Sequence, residues 1–168
     1  MLCMTLSMHS INTILVPTDF SRVAERALHY AFELAAASGA GVHILHVFEN
    51  PLAVGSFMDL YSPPAPDVIE QIERQVLARI QASLTPEQRE NPAVVVATRM
   101  GSTSDEILDY VRRHGAIDLI VFGATGRGAV ARLVMGSVAD RIVRTAPCPV
   151  LTVHPHDRVH ADADHQAA

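Results

Sequence analysis

Leu119-Ile-Val-Phe122 running into Gly123-Ala-Thr-Gly126-Arg-Gly-Ala-Val-Ala-Arg-Leu-Val-Met-Gly136-Ser137 decides how this chain is read. A short apolar run of strand character opens into a glycine-rich loop, and helical spacing starts where the loop ends. Glycine lets backbone approach an anion with no β-carbon in the way. The free amides and positive dipole end of a following helix favour negative charge. Phosphate is the expected ligand of such a loop, and nucleotide binding is the first expectation.

Working outward, Ser137 to Thr145 reads as a last helix closed by Pro147, and Val150-Leu-Thr-Val153 as a fifth strand. At the other end of the chain, Thr13-Ile-Leu-Val-Pro17 is a first strand, bounded by Thr18-Asp19. A helix follows, with Ala24, Ala27, Leu28, Ala31, Leu34 and Ala35 recurring at threes and fours. Ser38-Gly39-Ala-Gly41 stops it. Val42 to Val47 is a second strand, and residues 50 to 66 form a long irregular stretch rich in proline. Ile69, Ile72, Val76, Leu77 and Ile80 restore helical spacing, and Thr85-Pro-Glu-Gln88 has the pattern of a capping box with proline at the first position. Pro92 to Ala97 is a third strand. Thr103-Ser-Asp-Glu106 fits a second capping box, before Ile107, Leu108 and Val111, and Asp118 to Phe122 is a fourth strand.

Strands that are nearly all apolar, alternating with amphipathic helices, belong to a parallel sheet covered on both faces. The expected fold class is α/β: an open, doubly wound, five-stranded parallel sheet. Ligands of such sheets sit beyond the carboxyl ends of the strands, where Asp19, Val47, Gly101 and Gly123 fall. Residues 1 to 10 are expected to be a flexible extension, 11 to 154 a single domain, and the polar, aperiodic residues 155 to 168 a disordered tail.

With 168 residues and 49% hydrophobic content the chain can bury one core and is too short for two. It has neither a membrane-spanning apolar run nor the basic flank and apolar core of a secretory signal, so a cytoplasmic location is expected. Cys3 and Cys148 make no disulfide framework. A formal charge of −5 disfavours nucleic acid and anionic lipid as partners. All 13 basic residues are arginine, which excludes a Schiff-base lysine, a P-loop lysine and a lysine general base.

Gly123, Gly126, Gly136 and Ser137 have the spacing G-x2-G-x9-G-[S/T], and with it the chain resembles the universal stress protein family, specifically its ATP-binding branch. The likeness includes Asn12-Thr-Ile-Leu-Val-Pro-Thr-Asp-Phe-Ser21 and the closing segment Gly136 to Val153, and it covers roughly residues 11 to 154. The resemblance implies strand order 3-2-1-4-5 in an adenine-nucleotide α-hydrolase-like sheet. It implies that Pro17, Thr18 and Asp19 line the ribose side, that the Val47 backbone recognises adenine, that Gly123 borders the sugar, and that Gly126, Gly136, Ser137 and Val138 surround the phosphates. It also implies a homodimer, paired antiparallel through the edge strand Val150 to Val153.

The chemistry of these positions stands beside the resemblance. Asp19 can accept from sugar hydroxyls or cap the following helix, a task Ser21 could also perform. Ser137 offers a hydroxyl and an amide at a helix start and could cap that helix. An amide donating to a charged oxygen contributes about 1.5–3 kcal/mol, against about 0.3–1 kcal/mol for the dipole at an exposed site, so a few loop amides can hold phosphates without lysine. Arg127 and Arg132 are candidate counter-charges, Arg127 the stronger because it follows Gly126 directly, while Arg141 and Arg144 are expected on the outer face of the last helix. His43 and His46, three apart on a strand, point to opposite faces and make a poor metal pair. His154, His156, His160 and His165 lie in or beside the tail and announce no specific metal site. Magnesium is expected only through the phosphates of bound ATP.

Three function classes follow: a nucleotide-dependent stress-response or regulatory protein with at most slow hydrolysis, an adenine-nucleotide-using transferase or ligase, and a dimeric signalling protein that binds no nucleotide. The chain lacks a Walker lysine, a paired-carboxylate metal motif and a nucleophile elbow, which places the first ahead.

Overall fold

The computed structural model describes residues 10–49, 66–124 and 136–154. Thr13–Pro17 forms β1, with Ile14, Leu15 and Val16 wholly buried. Helix α1, Arg22–Ser38, starts at Ser21, whose hydroxyl accepts the Ala24 amide at 3.2 Å. It ends at Gly39, where a φ of +74° turns the chain left-handed and the glycine amide donates to the Ala35 carbonyl. Ala24, Ala27, Leu28, Ala31 and Ala35 form its buried stripe, as their spacing predicts.

The chain continues through β2 (Gly41–Phe48), α2 (Pro66–Ala82), α3 (Pro86–Glu90), β3 (Val94–Met100), α4 (Thr103–His114), β4 (Leu119–Gly123), α5 (Ser137–Thr145) and β5 (Val150–Val153). The capping box before α3 forms as the sequence predicts: Gln88 donates its amide to the Thr85 hydroxyl and Thr85 its amide to the Gln88 side chain.

Two expectations need correction. The third strand begins at Val94 rather than Pro92, because Asn91 holds the entry in a turn: its side-chain oxygen accepts the Ala93 amide at 2.9 Å and its carbonyl the Val94 amide at 3.0 Å. The strand then pairs with β2 as far as Phe48↔Met100, three residues past the expected end. The second capping box does not form. Ser102, not Thr103, is the N-cap of α4, with its carbonyl accepting the Glu106 amide at 2.9 Å and no side-chain cap bond. The Glu106 side chain instead lies against Gly101.

All strand pairs are parallel, in the order β3-β2-β1-β4-β5. This is the doubly wound sheet expected from the sequence. One core packs Ile14, Val16, Ile44 and Val121 against Ala27 and Ala31 of α1 and Ile80 of α2. The other packs Leu15, Leu45, Ile120 and Phe122 against Ile107 and Val111 of α4 and Ile142 of α5. Alternate residues of each central strand feed opposite cores, so the strand sequences read as continuous apolar runs.

Candidate functional site

Chain order reverses between β1 and β4, and there the sheet parts. The pair is closed at its amino end, where the Asp118 carboxylate accepts the amides of Asn12 at 2.8 Å and Thr13 at 3.0 Å, and the Asp118 amide donates to the Thr13 carbonyl at 3.0 Å. Register runs only through Ile14↔Leu119 and Leu15↔Ile120. The Asn12 carbonyl and the Thr18 amide bond toward β2, so residues 13, 15 and 17 present their backbone groups to β4. Pro17 stands next in that series and has no N–H, so the ladder stops. On the other side β1 stays paired with β2 through Pro17↔Leu45. This carboxyl end is the topological switch point of the sheet, and doubly wound sheets have their ligand crevice there.

The turn leaving β1 is a chain of local bonds. The Thr18 hydroxyl accepts the Phe20 amide at 3.2 Å, and Asp19 Oδ1 accepts the Ser21 amide at 2.9 Å. Ser21 is therefore the cap of α1, and Asp19 shapes the turn before it. The bond engages one carboxylate oxygen; the other retains acceptor capacity for a hydroxyl.

Across the crevice, Gly123 ends β4 paired with Val153, and the Ala124 amide donates to the Val153 carbonyl at 2.9 Å. Gly136 returns the chain to the same place, with its amide on the Ala124 carbonyl at 3.2 Å. The last helix starts at Ser137, as the sequence predicts, and of the two roles open to Ser137 it does not take that of the cap. Gly136 is the N-cap, because its carbonyl accepts the Asp140 amide at 2.9 Å, and Ser137 is already the first helical residue. No side chain caps α5, since glycine has none to offer, and an uncapped first turn presents amide donors to an anion. Val138 lies half-buried one residue on, packed against the α4–α5 core.

Of the residues expected in the site, the fold brings Pro17, Thr18, Asp19, Gly123, Gly136, Ser137 and Val138 to this crevice, and Val47 to the neighbouring end of β2, where it is half-buried and paired with Arg99. Gly126, Arg127 and Arg132 lie outside the described residues. Arg141 and Arg144 are exposed, as expected; Arg141 pairs with Asp105 of α4, and Arg144 with Asp140 at 2.9 Å.

The histidines of β2 do face opposite ways. His46 bonds the Thr18 carbonyl through Nδ1 at 2.7 Å and packs on Phe20, with ring centres 4.7 Å apart. His43 meets the Tyr110 hydroxyl at 3.0 Å on the α4 side. Burial and then the neighbouring His114 hold His43 below the ordinary histidine range. Burial raises the Tyr110 phenol, with Arg99 opposing. Among the described residues no three His, Cys, Asp or Glu side chains are grouped to hold a metal ion, and no helix is long and apolar enough to cross a membrane.

Sequence reasoning passed over Phe20 and Arg79. Phe20 adopts a φ of +61°, and the Arg79 guanidinium of α2 sits 4.1 Å from its ring centre. No local pattern announces either, because a left-handed phenylalanine breaks the usual preference and Arg79 is distant in sequence.

Comparison with known proteins agrees with this architecture. The profile described as the universal stress protein family matches residues 10–154. A universal stress protein of Methanocaldococcus jannaschii is 33% identical over 144 residues, covering 83% of this chain and 80% of its own. The solved structure of UspA from Lactobacillus plantarum superposes with a TM-score of 0.66 at 29% identity, covering 85% of this chain and 97% of that one. A universal stress protein solved in complex with cAMP superposes with a TM-score of 0.58 at 25% identity, covering 86% and 98%. Sheet order, the acidic turn after β1 and a match along nearly the whole domain together make this chain a member of the universal stress protein family.

Proposed function

We propose that this protein is an ATP-binding, nucleotide-dependent regulatory member of its family, with little or no hydrolysis. The observation that carries the proposal is the glycine-capped start of α5, tied to the end of β4 beside the crevice that opens at Pro17. In this proposal Asp19 accepts from the ribose, with Pro17 and Thr18 beside it, the Val47 backbone meets adenine, and Gly123 borders the sugar. Gly126, Gly136, Ser137 and Val138 surround the phosphates with amides, and Arg127 supplies a counter-charge. Magnesium is carried by the phosphate oxygens. A solved relative in complex with cAMP supports an adenine nucleotide as the ligand class.

The test is calorimetric titration with ATP and magnesium, alongside assay of an acid extract of the purified protein for adenine nucleotide. Gly136→Val and Gly126→Val are expected to weaken ATP at least tenfold while the fold persists. An empty extract with no heat of binding would favour the signalling protein without nucleotide; pyrophosphate release with an acceptor would favour a transferase or ligase.

We also propose a homodimer through β5. It is an edge strand, with one side bonded to β4 and the other open in the chain described.

A further inference from the structure

Phe20 is the one non-glycine residue with positive φ among the described residues, at +61°. For a bulky side chain this is an outlier that persists only where the surroundings enforce it. Three contacts do so. The Phe20 amide is held by the Thr18 hydroxyl at 3.2 Å. One side of the ring meets the His46 imidazole, itself fixed by Nδ1 donating to the Thr18 carbonyl at 2.7 Å. The Arg79 guanidinium of α2 stacks 4.1 Å from the ring centre.

The dihedrals of Phe20 set the direction of the next peptide, whose N–H is the Ser21 amide that grips Asp19 Oδ1 at 2.9 Å. Were Phe20 to relax to the ordinary negative φ, that N–H would swing off the carboxylate. Asp19 would then lose its anchor at the mouth of the crevice. The contacts on Phe20 come from two other elements, β2 and α2, and Phe20 and Arg79 line a cavity together with Thr18, so a carboxylate on β1's turn is aimed by side chains from outside that turn.

We propose that Phe20, His46 and Arg79 are positioning residues that aim the Asp19 carboxylate at the ribose hydroxyls, so that discrimination between ribose and deoxyribose depends on a stacking contact supplied by α2. This rests on the nucleotide-binding function proposed above and names how one part of that site achieves selectivity.

Dissociation constants for ATP, 2′-deoxy-ATP and 3′-deoxy-ATP in the full-length protein and its variants test it. The parent is expected to prefer ATP over at least one deoxy analogue by about tenfold or more, the scale of one hydrogen bond to a charged acceptor. Phe20→Ala and Arg79→Leu should collapse that preference to about twofold, chiefly by weakening ATP, while Phe20→Tyr retains it. In an Asp19→Asn background, Phe20→Ala should change the ratio no further. Arg79 is exposed, so Arg79→Leu carries the test should Phe20→Ala fail to fold. Equal weakening of all three nucleotides with the ratio intact overturns the positioning role and leaves nucleotide binding standing. A parent that binds ATP and both analogues alike overturns it too. A parent that binds none removes both proposals.

Discussion

The β-carbon that Gly123 lacks would fall 2.8 Å from Cγ1 of Val23 and 3.1 Å from the Val23 carbonyl carbon. The end of β4 and the first turn of α1 thus meet backbone to backbone, beside the crevice. Gly123→Ala must push the helix away, and overpacking of this kind costs about 1–3 kcal/mol. Urea denaturation should show the midpoint falling by a corresponding amount. An unchanged midpoint would mean that α1 yields there without cost.

Asp118 closes the β1–β4 pair at the end opposite the crevice, accepting two backbone amides. Asp118→Ala should destabilise the protein by about 0.5–1.5 kcal/mol, the net worth of a hydrogen bond whose amide can turn to water. ATP affinity, measured on the folded variant, should stay within about twofold of the parent, because Asp118 lies at the end of the β1–β4 pair opposite the proposed site.

His43 makes stability depend on pH. Tyr110 and His114 of α4 face it, Arg99 of β3 lies over the Tyr110 ring, and burial first, then His114, lowers its pKa below 6.5. The unfolded chain therefore takes up this proton before the folded one does. As pH falls through 6.5 toward the lower folded value, protonation favours unfolding; above 6.5 the penalty is absent. The urea midpoint should drop between pH 8 and pH 5, and the drop should be smaller in His43→Gln. Equal drops in the two proteins would assign the effect to other groups.

Burial, then Asp118, raises the Cys148 thiol above its ordinary range, with a backbone hydrogen bond opposing. Half-buried between Pro147 and Pro149, it should stay protonated at neutral pH. In a Cys3→Ser background, iodoacetamide should label Cys148 more slowly than it labels a free cysteine peptide at pH 7.5. Faster labelling would contradict a suppressed thiolate.

The proposed dimer has a backbone probe. Amides of Ile120 and Ala124 donate to the carbonyls of Pro149 and Val153, so residues 149, 151 and 153 turn their backbone groups to β4 and residues 150 and 152 turn theirs outward. Leu151 also packs its side chain against the α1 core, so Leu151→Lys would disturb the monomer as well as the contact. Thr152→Pro removes an outward amide and keeps φ in a range that an edge strand tolerates. Light scattering at micromolar concentration should give a dimeric mass for the parent and a monomeric mass for the variant; a dimeric mass for both would move the interface elsewhere.

Helix and strand content was legible wherever a local rule governs it. The buried stripe of α1 follows the spacing of its alanines and leucines, the Thr85–Gln88 capping box closes as its residues demand, and Gly39 stops a helix in the left-handed conformation that glycine accepts. The rule misled where two neighbours could do the same job. Ser102 displaced Thr103, because the position of a cap is fixed by which carbonyl first accepts an i+4 amide, a choice made by how the loop enters the helix.

By itself the sequence determined the periodicities that make a parallel, doubly covered sheet, and it placed the small and acidic residues at the carboxyl ends of the strands. These are properties of residue type and spacing along one segment. Tertiary structure alone decided that Gly123 has no room for a side chain and that Phe20 is held left-handed between His46 and Arg79. Each depends on groups from different elements meeting in space, and no local preference encodes such a meeting.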